Sequence, residues 1–212
     1  MEINKRQALI LGKKILVSFI GLIFCGIGVS FFLYAGLGVD PASVFQLGIA
    51  NVLNISYGSA SALMNIVILL LLFFLQRDYI NISSIIAIFG IGYTADIFNF
   101  LLSKVIPKDL HIVLKLILIF VGLVIMGIGV ATYIRANLGV GAVDSVSEYI
   151  SNKSKLPYKY VRIGGDLVFV IVGYLMGGVV GVGTIVAAFL LGPVIHIVRP
   201  TVFKIVDPFI RE

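Results

Sequence analysis

Asn65 and Asp166 stand 101 residues apart, each about two turns into a long apolar stretch. An amide or carboxyl group in hydrocarbon is costly and ordinarily faces a cavity or a partner. The pair can therefore furnish two walls of one solute site. Asp96 and His196 form a second pair, 100 residues apart. A carboxylate and an imidazole that changes charge near neutral pH suit proton coupling along a path. Around Asp96, "GYTADIFNF" sets Tyr93, Asp96 and Asn99 on roughly one helical face, where they can satisfy one another or a solute. Asp40 followed by Pro41 reads as a helix start, a capping carboxylate and a ring that pre-sets the first helical torsion. Unpaired N–H groups at such a start favour an anion or a carboxylate, and Asp144 lies in the matching stretch of the second half. Arg135, where an apolar run ends, adds a positive group beside it; snorkelling into the headgroups is the simpler reading.

Other chemistries find no support. There is no Walker loop, no His-Glu-x-x-His, no Cys or His cluster with metal-ligand spacing and no Gly-x-Ser-x-Gly elbow. The expectation is a non-enzyme with no cofactor and no metal. Asp96 with Asp166 as an intramembrane protease pair lies in no recognisable signature. The single cysteine, Cys25, has no partner for a disulfide and reads as a small core residue.

The elements that must position these residues are membrane spans. A chain of 212 residues with 60% hydrophobic and 12% charged residues, and a mean hydropathy of +1.14, belongs in lipid. It has room for about six spans of roughly 20 residues and for no separate soluble domain. The net charge of +6 gathers at the ends of apolar runs instead of on an aromatic-laced basic face, so nucleic acid is not expected. Spans are expected over residues 15–34, 59–75, 82–102, 110–134, 161–176 and 179–198, the first too long for a signal-peptide core. With both termini cytoplasmic, 13 Lys and Arg residues fall inside and 3 outside. An eight-span arrangement scores 14 against 2, but would force Asp144, Glu148, Asn152 and Lys153 into hydrocarbon.

The halves echo one another. "GIGVSFFLYAGLGVD" from Gly26 returns as "GIGVATYIRANLGVG" from Gly127, with eight of fifteen positions matching at an offset of 101. The register continues through Asn51 and Asn152, Tyr57 and Tyr158, and, after a slip of one, Ala87 and Ala187. The expected fold is an all-α membrane protein of six transmembrane helices in two repeats, residues 1–103 and 104–212. Three spans being odd, the second repeat enters from the opposite face, as an inverted-topology pair with a solute site between. Each repeat carries a short half-helix after its first span, 40–54 and 141–155; re-entrant and interfacial placements both stand. Gly38, Gly139, Gly181, Gly183 and Pro193 are candidates for packing or gating.

The pieces "GIGV", "AGLGVDP" from Ala35, "ANLGVGAVD" from Ala136 and "GGVVGVGTIVAAFLLGP" from Gly177 resemble the YczE/YyaS/YitT family of bacterial integral membrane proteins. The resemblance covers nearly the whole chain. It implies a multi-span protein of the bacterial cytoplasmic membrane and supplies no catalytic residues. Gly141-Ala142 replaces Asp40-Pro41 in the second copy, so any role of that pair need not be shared. The function expected is a small transporter or permease, facilitative or secondary-active, for a polar or anionic solute. A non-transporting scaffold or regulatory partner is the alternative. The partners expected are the lipid bilayer and an unidentified solute, with homo-oligomerisation left open.

Overall fold

The computed structural model describes residues 5–80, 82–107, 109–139 and 141–211; Val140 of the echoed phrase and Lys108 of the charge tally lie outside them. Among the described residues eight α-helices follow one another: α1 Lys5–Ala35, α2 Pro41–Leu53, α3 Tyr57–Leu75, α4 Ile82–Val105, α5 Ile112–Ala136, α6 Ala142–Ser154, α7 Tyr158–Leu175 and α8 Val182–Arg211. A short 3-10 turn, Arg77–Tyr79, joins α3 to α4.

Five of these helices, α1, α3, α4, α5 and α8, are long and apolar enough to cross a membrane. Three boundaries differ from expectation. The fifth expected span, 161–176, exists as α7, but Lys159, Arg162 and Asp166 crowd its first half, and its 18 residues are not among the five. α1 starts ten residues before the expected run, so that Lys13 and Lys14 are helical. α8 runs through Pro193, Pro200 and Pro208 instead of ending near Val198. Helices in lipid tolerate proline where neighbours re-satisfy the freed carbonyls. The helix is continuous through Pro193, the packing or gating candidate.

Helix ends recur at the offset seen in the sequence. Ala35 and Ala136 end α1 and α5, and Pro41 and Ala142 open α2 and α6. Left-handed backbone recurs as well, at Gly38 (φ 100°) and Gly139 (φ 96°) and at Asn54 (φ 53°) and Lys155 (φ 59°). These are the turns after the first helix and after the half-helix of each half.

Glycine lets α1 and α5 meet backbone to backbone. A Cβ at Gly21 would lie 2.6 Å from Tyr133 N and 2.8 Å from Gly129 O, and one at Gly28 would lie 2.7 Å from Gly122 O. As α1 advances, α5 recedes, so the two run antiparallel. Each such contact maps onto the other when its residues are exchanged for their counterparts: Gly21 with Gly129, Gly122 with Gly28. Between them Cys25 Sγ points at the carbonyl of its own counterpart, Met126, at 3.9 Å. Packing between small residues is the principal attraction available to helices in lipid.

The halves also interlock. α2 lies on α7, with Phe45 stacked on Phe169 at 5.4 Å and Gly48 against the carbonyl of Gly173. α6 lies on α3, where Ala142 and Val146 pack with Leu69 and Leu72. The loop after α1 accepts from α8, Gly183 N to Leu37 O at 2.8 Å, and the loop after α5 accepts from α4, Ser83 N to Leu138 O at 3.3 Å. The correspondence fails in one place. α3 packs closely on α4, where a Cβ at Gly92 would lie 2.7 Å from Ser61 Cβ, yet no comparable packing joins α7 to α8. A Cβ on Gly164, Gly165 or Gly192 would meet nothing within 4 Å.

Candidate functional site

Two matching stripes of side chains face each other across the molecule. On α3, Tyr57, Ser61 and Asn65 succeed one another at four-residue spacing; on α7, Tyr158, Arg162 and Asp166 do the same. Residues four apart share one face of a helix. Both stripes line a cavity of about 620 Å³, within the usual range for small-molecule pockets. The N-terminal ends of α2 and α6 complete it, bringing Asp40, Ser43, Gly141 and Asp144. Its walls pair counterpart with counterpart: Cys25 with Met126, Val29 with Val130, Ala87 with Ala187. A second hollow, of about 780 Å³ between α2, α3, α6 and α7, has no charged side chain in its lining.

Polar contacts in the first cavity are dense. On the first-half side, Asp40 caps α2: its Oδ1 accepts from Ser43 Oγ at 2.6 Å and its Oδ2 from Ser43 N at 3.2 Å. Ser43 Oγ also meets Tyr57 Oη at 2.8 Å, and Tyr57 donates to Gln46 Oε1 at 2.6 Å. Burial pushes the Asp40 carboxyl above the usual carboxylate range, opposed by the two bonds from Ser43. Asn65 donates to the carbonyl of Ser61 at 2.9 Å. On the second-half side, Arg162 forks between two acids. Its Nη1 lies 2.6 Å from Asp144 Oδ1 and its Nε 3.2 Å from Asp166 Oδ2, while Tyr158 donates to Asp144 Oδ1 at 2.9 Å. Among the described residues, two side-chain polar atoms of this wall are buried without a partner, Ser61 Oγ and Asp166 Oδ1; Ser145 Oγ on α6, outside the lining, is a third.

Of the residues singled out in the sequence, Asp40, Asn65, Asp144 and Asp166 share this cavity. Tyr93, Asp96, Asn99 and Arg135 do not line it, and geometry gives each another place. Asp96 accepts from Gly58 N at 2.9 Å, so an α4 carboxylate serves the open N-terminal turn of α3. Tyr93 is exposed and stacks on Phe89 at 6.0 Å. Asn99 is half-buried one turn beyond Asp96. Arg135 pairs with Asp207 near the end of α8 and stacks over Phe203, away from the cavity lining. His196 is exposed and apart from Asp96. Gly38, Gly181 and Gly183 meet one another at the joint between the α1–α2 loop and α8, where their lack of a side chain permits the contact.

Sequence reasoning passed over Ser43, Gln46, Ser61 and Glu148 as site residues. The signal for Ser61 was present one turn before Asn65. An expected result follows for the cap: Asp40→Ala lowers stability by about 1 kcal/mol, while Asp40→Asn, which still caps, stays within a few tenths. Thermal unfolding in detergent measures both; equal loss in the two variants would show that the cap is not what Asp40 supplies.

Comparison with known proteins places the chain. The model of a family described as "Family of unknown function (DUF6198)" matches residues 12–200. The chain is 28% identical over 190 residues to "Uncharacterized membrane protein YczE" of Bacillus subtilis (strain 168), covering 89% of this chain and 86% of that protein. It is 25% identical over 183 residues to "Uncharacterized protein YyaS" of the same strain, covering 86% and 90%. An "Uncharacterized protein" of Haemophilus influenzae (strain ATCC 51907 / DSM 11121 / KW20 / Rd) is 27% identical over 184 residues, covering 87% and 82%. No solved structure matches. With five helices able to cross a bilayer and these relatives, the chain is a multi-pass helical membrane protein that belongs to the DUF6198 family, together with YczE and YyaS.

Proposed function

We propose that the protein is a non-enzymatic transporter of a small polar solute, facilitative or secondary-active, built from two inverted-topology halves. The observation that carries this reading is the cavity itself, about 620 Å³ with walls drawn from counterpart residues of both halves. A site on the axis between antiparallel α1 and α5 can be approached by equivalent routes from either face. In this reading α7 completes the six spans: its charged residues Arg162 and Asp166 face the cavity and one another instead of lipid. The half-helices are re-entrant, since both bring their N-terminal ends to the cavity. Positive charge supports a cytoplasmic-membrane location with both termini inside.

Thiol accessibility in sealed vesicles tests the proposal. In a Cys25→Ala background, Asn65→Cys or Asp144→Cys is expected to react with a membrane-impermeant maleimide added to either face. If neither position reacts from either side, the interior is closed and the scaffold alternative takes its place.

A further inference from the structure

The solute proposed above has a chemical class that the cavity wall specifies. We propose that it is an organic cation, an amine or guanidine carried on an apolar body, held by the free carboxylate oxygen of Asp166; this rests on the transporter reading. The charge inventory is one-sided. Asp40, Asp144, Glu148 and Asp166 line the cavity, and Arg162 is the one basic residue in the lining. That guanidinium is engaged by two of the acids, with Asp144 at 2.6 Å and Asp166 at 3.2 Å. Two of its five N–H groups are so used, and the acids that hold it repel an entering anion.

The half-helix starts, which suit anions in the abstract, have the protein's own acids beside them. Asp40 caps α2 through Ser43 N; the start of α6 has no side-chain cap, but Asp144 in its first turn sets a negative charge beside it. One acceptor in the wall stands without a donor. Asp166 Oδ1 is buried with none, and Ser61 Oγ, on a residue only 1% exposed, has no partner on the facing stripe. Orphaned polar atoms in such a wall are costly until a ligand completes them. An ammonium or guanidinium brings N–H groups and positive charge together.

The remaining wall describes the rest of the ligand. Tyr57, Tyr133 and Tyr158 line it with aromatic rings, a residue type that attracts cations, and Leu22, Val29 and Leu191 offer apolar surface. A small hydrated metal ion would leave most of that surface unused; a cation with a hydrocarbon or aromatic body covers it.

Two measurements test the class. In Cys25→Ala/Ser61→Cys protein reconstituted in liposomes, the rates of reaction with trimethylammonium-ethyl methanethiosulfonate and its sulfonatoethyl counterpart are compared, each divided by its rate with a free small thiol. The cationic reagent is expected to be favoured by about tenfold or more, as in clefts lined by one sign of charge, and Asp166→Asn to reduce that preference severalfold. Equal normalised rates, or a preference for the sulfonate, overturn the cation assignment and leave the transporter reading standing. Reaction with neither reagent overturns both. With the unmodified protein in detergent, benzylammonium, which carries three N–H groups on an aromatic body, is expected to raise the unfolding midpoint and benzenesulfonate not to do so, and Asp166→Asn to abolish the rise. Stabilisation by the sulfonate, or by neither compound, counts against the proposal.

Discussion

Gly129→Leu is expected to remove nearly all folded protein from the membrane, while Gly12→Leu leaves the yield unchanged. A Cβ at position 129 would lie 2.6 Å from Cys25 N and 2.7 Å from Gly21 O, both main-chain atoms of the opposing helix, which no rotamer change can move. The two helices must separate, and with them goes the packing of Leu22 and Cys25 around Tyr133. Overpacking a well-fitted contact costs about 1–3 kcal/mol even where side chains can yield. Here they cannot, so the cost sits at or above the top of that range. Gly12 has nothing within 4 Å of its hypothetical Cβ, which makes it a control for adding leucine to the same helix. Size-exclusion profiles of a fluorescent fusion read both variants. A monodisperse Gly129→Leu protein at normal yield would mean that the close α1–α5 crossing is not what holds the halves together.

Arg162→Ala should be the most damaging change within the cavity. Removing the guanidinium strands Asp144 and Asp166, with Asp40 as a third acid in the same wall. Losing one partner of a buried ion pair costs about 3–5 kcal/mol; the side chain is 31% exposed, so the expectation is about 3 kcal/mol. Arg162→Lys should restore only part, because an ammonium cannot fork between two acids as the planar group does. Neutralising all three groups together, as Arg162→Met with Asp144→Asn and Asp166→Asn, should recover most of the loss, since the penalty belongs to uncompensated charge. Thermal unfolding of the purified variants supplies the cycle. An alanine variant as stable as the parent would show that water already screens these acids.

The half-helices were legible because their ends are written in local chemistry. Asp40-Pro41 starts α2, and α2 and α6 fall within a residue of the expected bounds. The length of α8 was not, because the rule that proline ends a helix comes from water, where a freed carbonyl has easy alternatives. Among site residues, Asn65 and Asp166 stood out by polarity against apolar neighbours, and their counterpart positions tied them together. Asp96 stood out in the same way, but its partner is a backbone N–H on another helix, 38 residues away. The pairing of Arg135 was hidden for a similar reason, its acid lying 72 residues further on. Polarity marks where a group needs a partner and does not say whether the partner is a ligand. Ser43 and Ser61 are the reverse case: serine is unremarkable in a membrane helix, and only folding shows which hydroxyls reach the cavity.

The bed on which α2 lies has a consequence for biosynthesis. Gly48 rests against Gly173, which leaves the ribosome 125 residues later. At about 5–20 residues per second, that is a delay of roughly 6–25 s. Through this interval a helix too short to traverse the bilayer has its contacts with α3 but not its bed on α7, and the face that α7 will cover must shelter among headgroups or insertion machinery until the last third of the polypeptide arrives. Stalling translation between these two points should therefore yield a nascent chain whose second helix is open to protease, and release from the stall should close it.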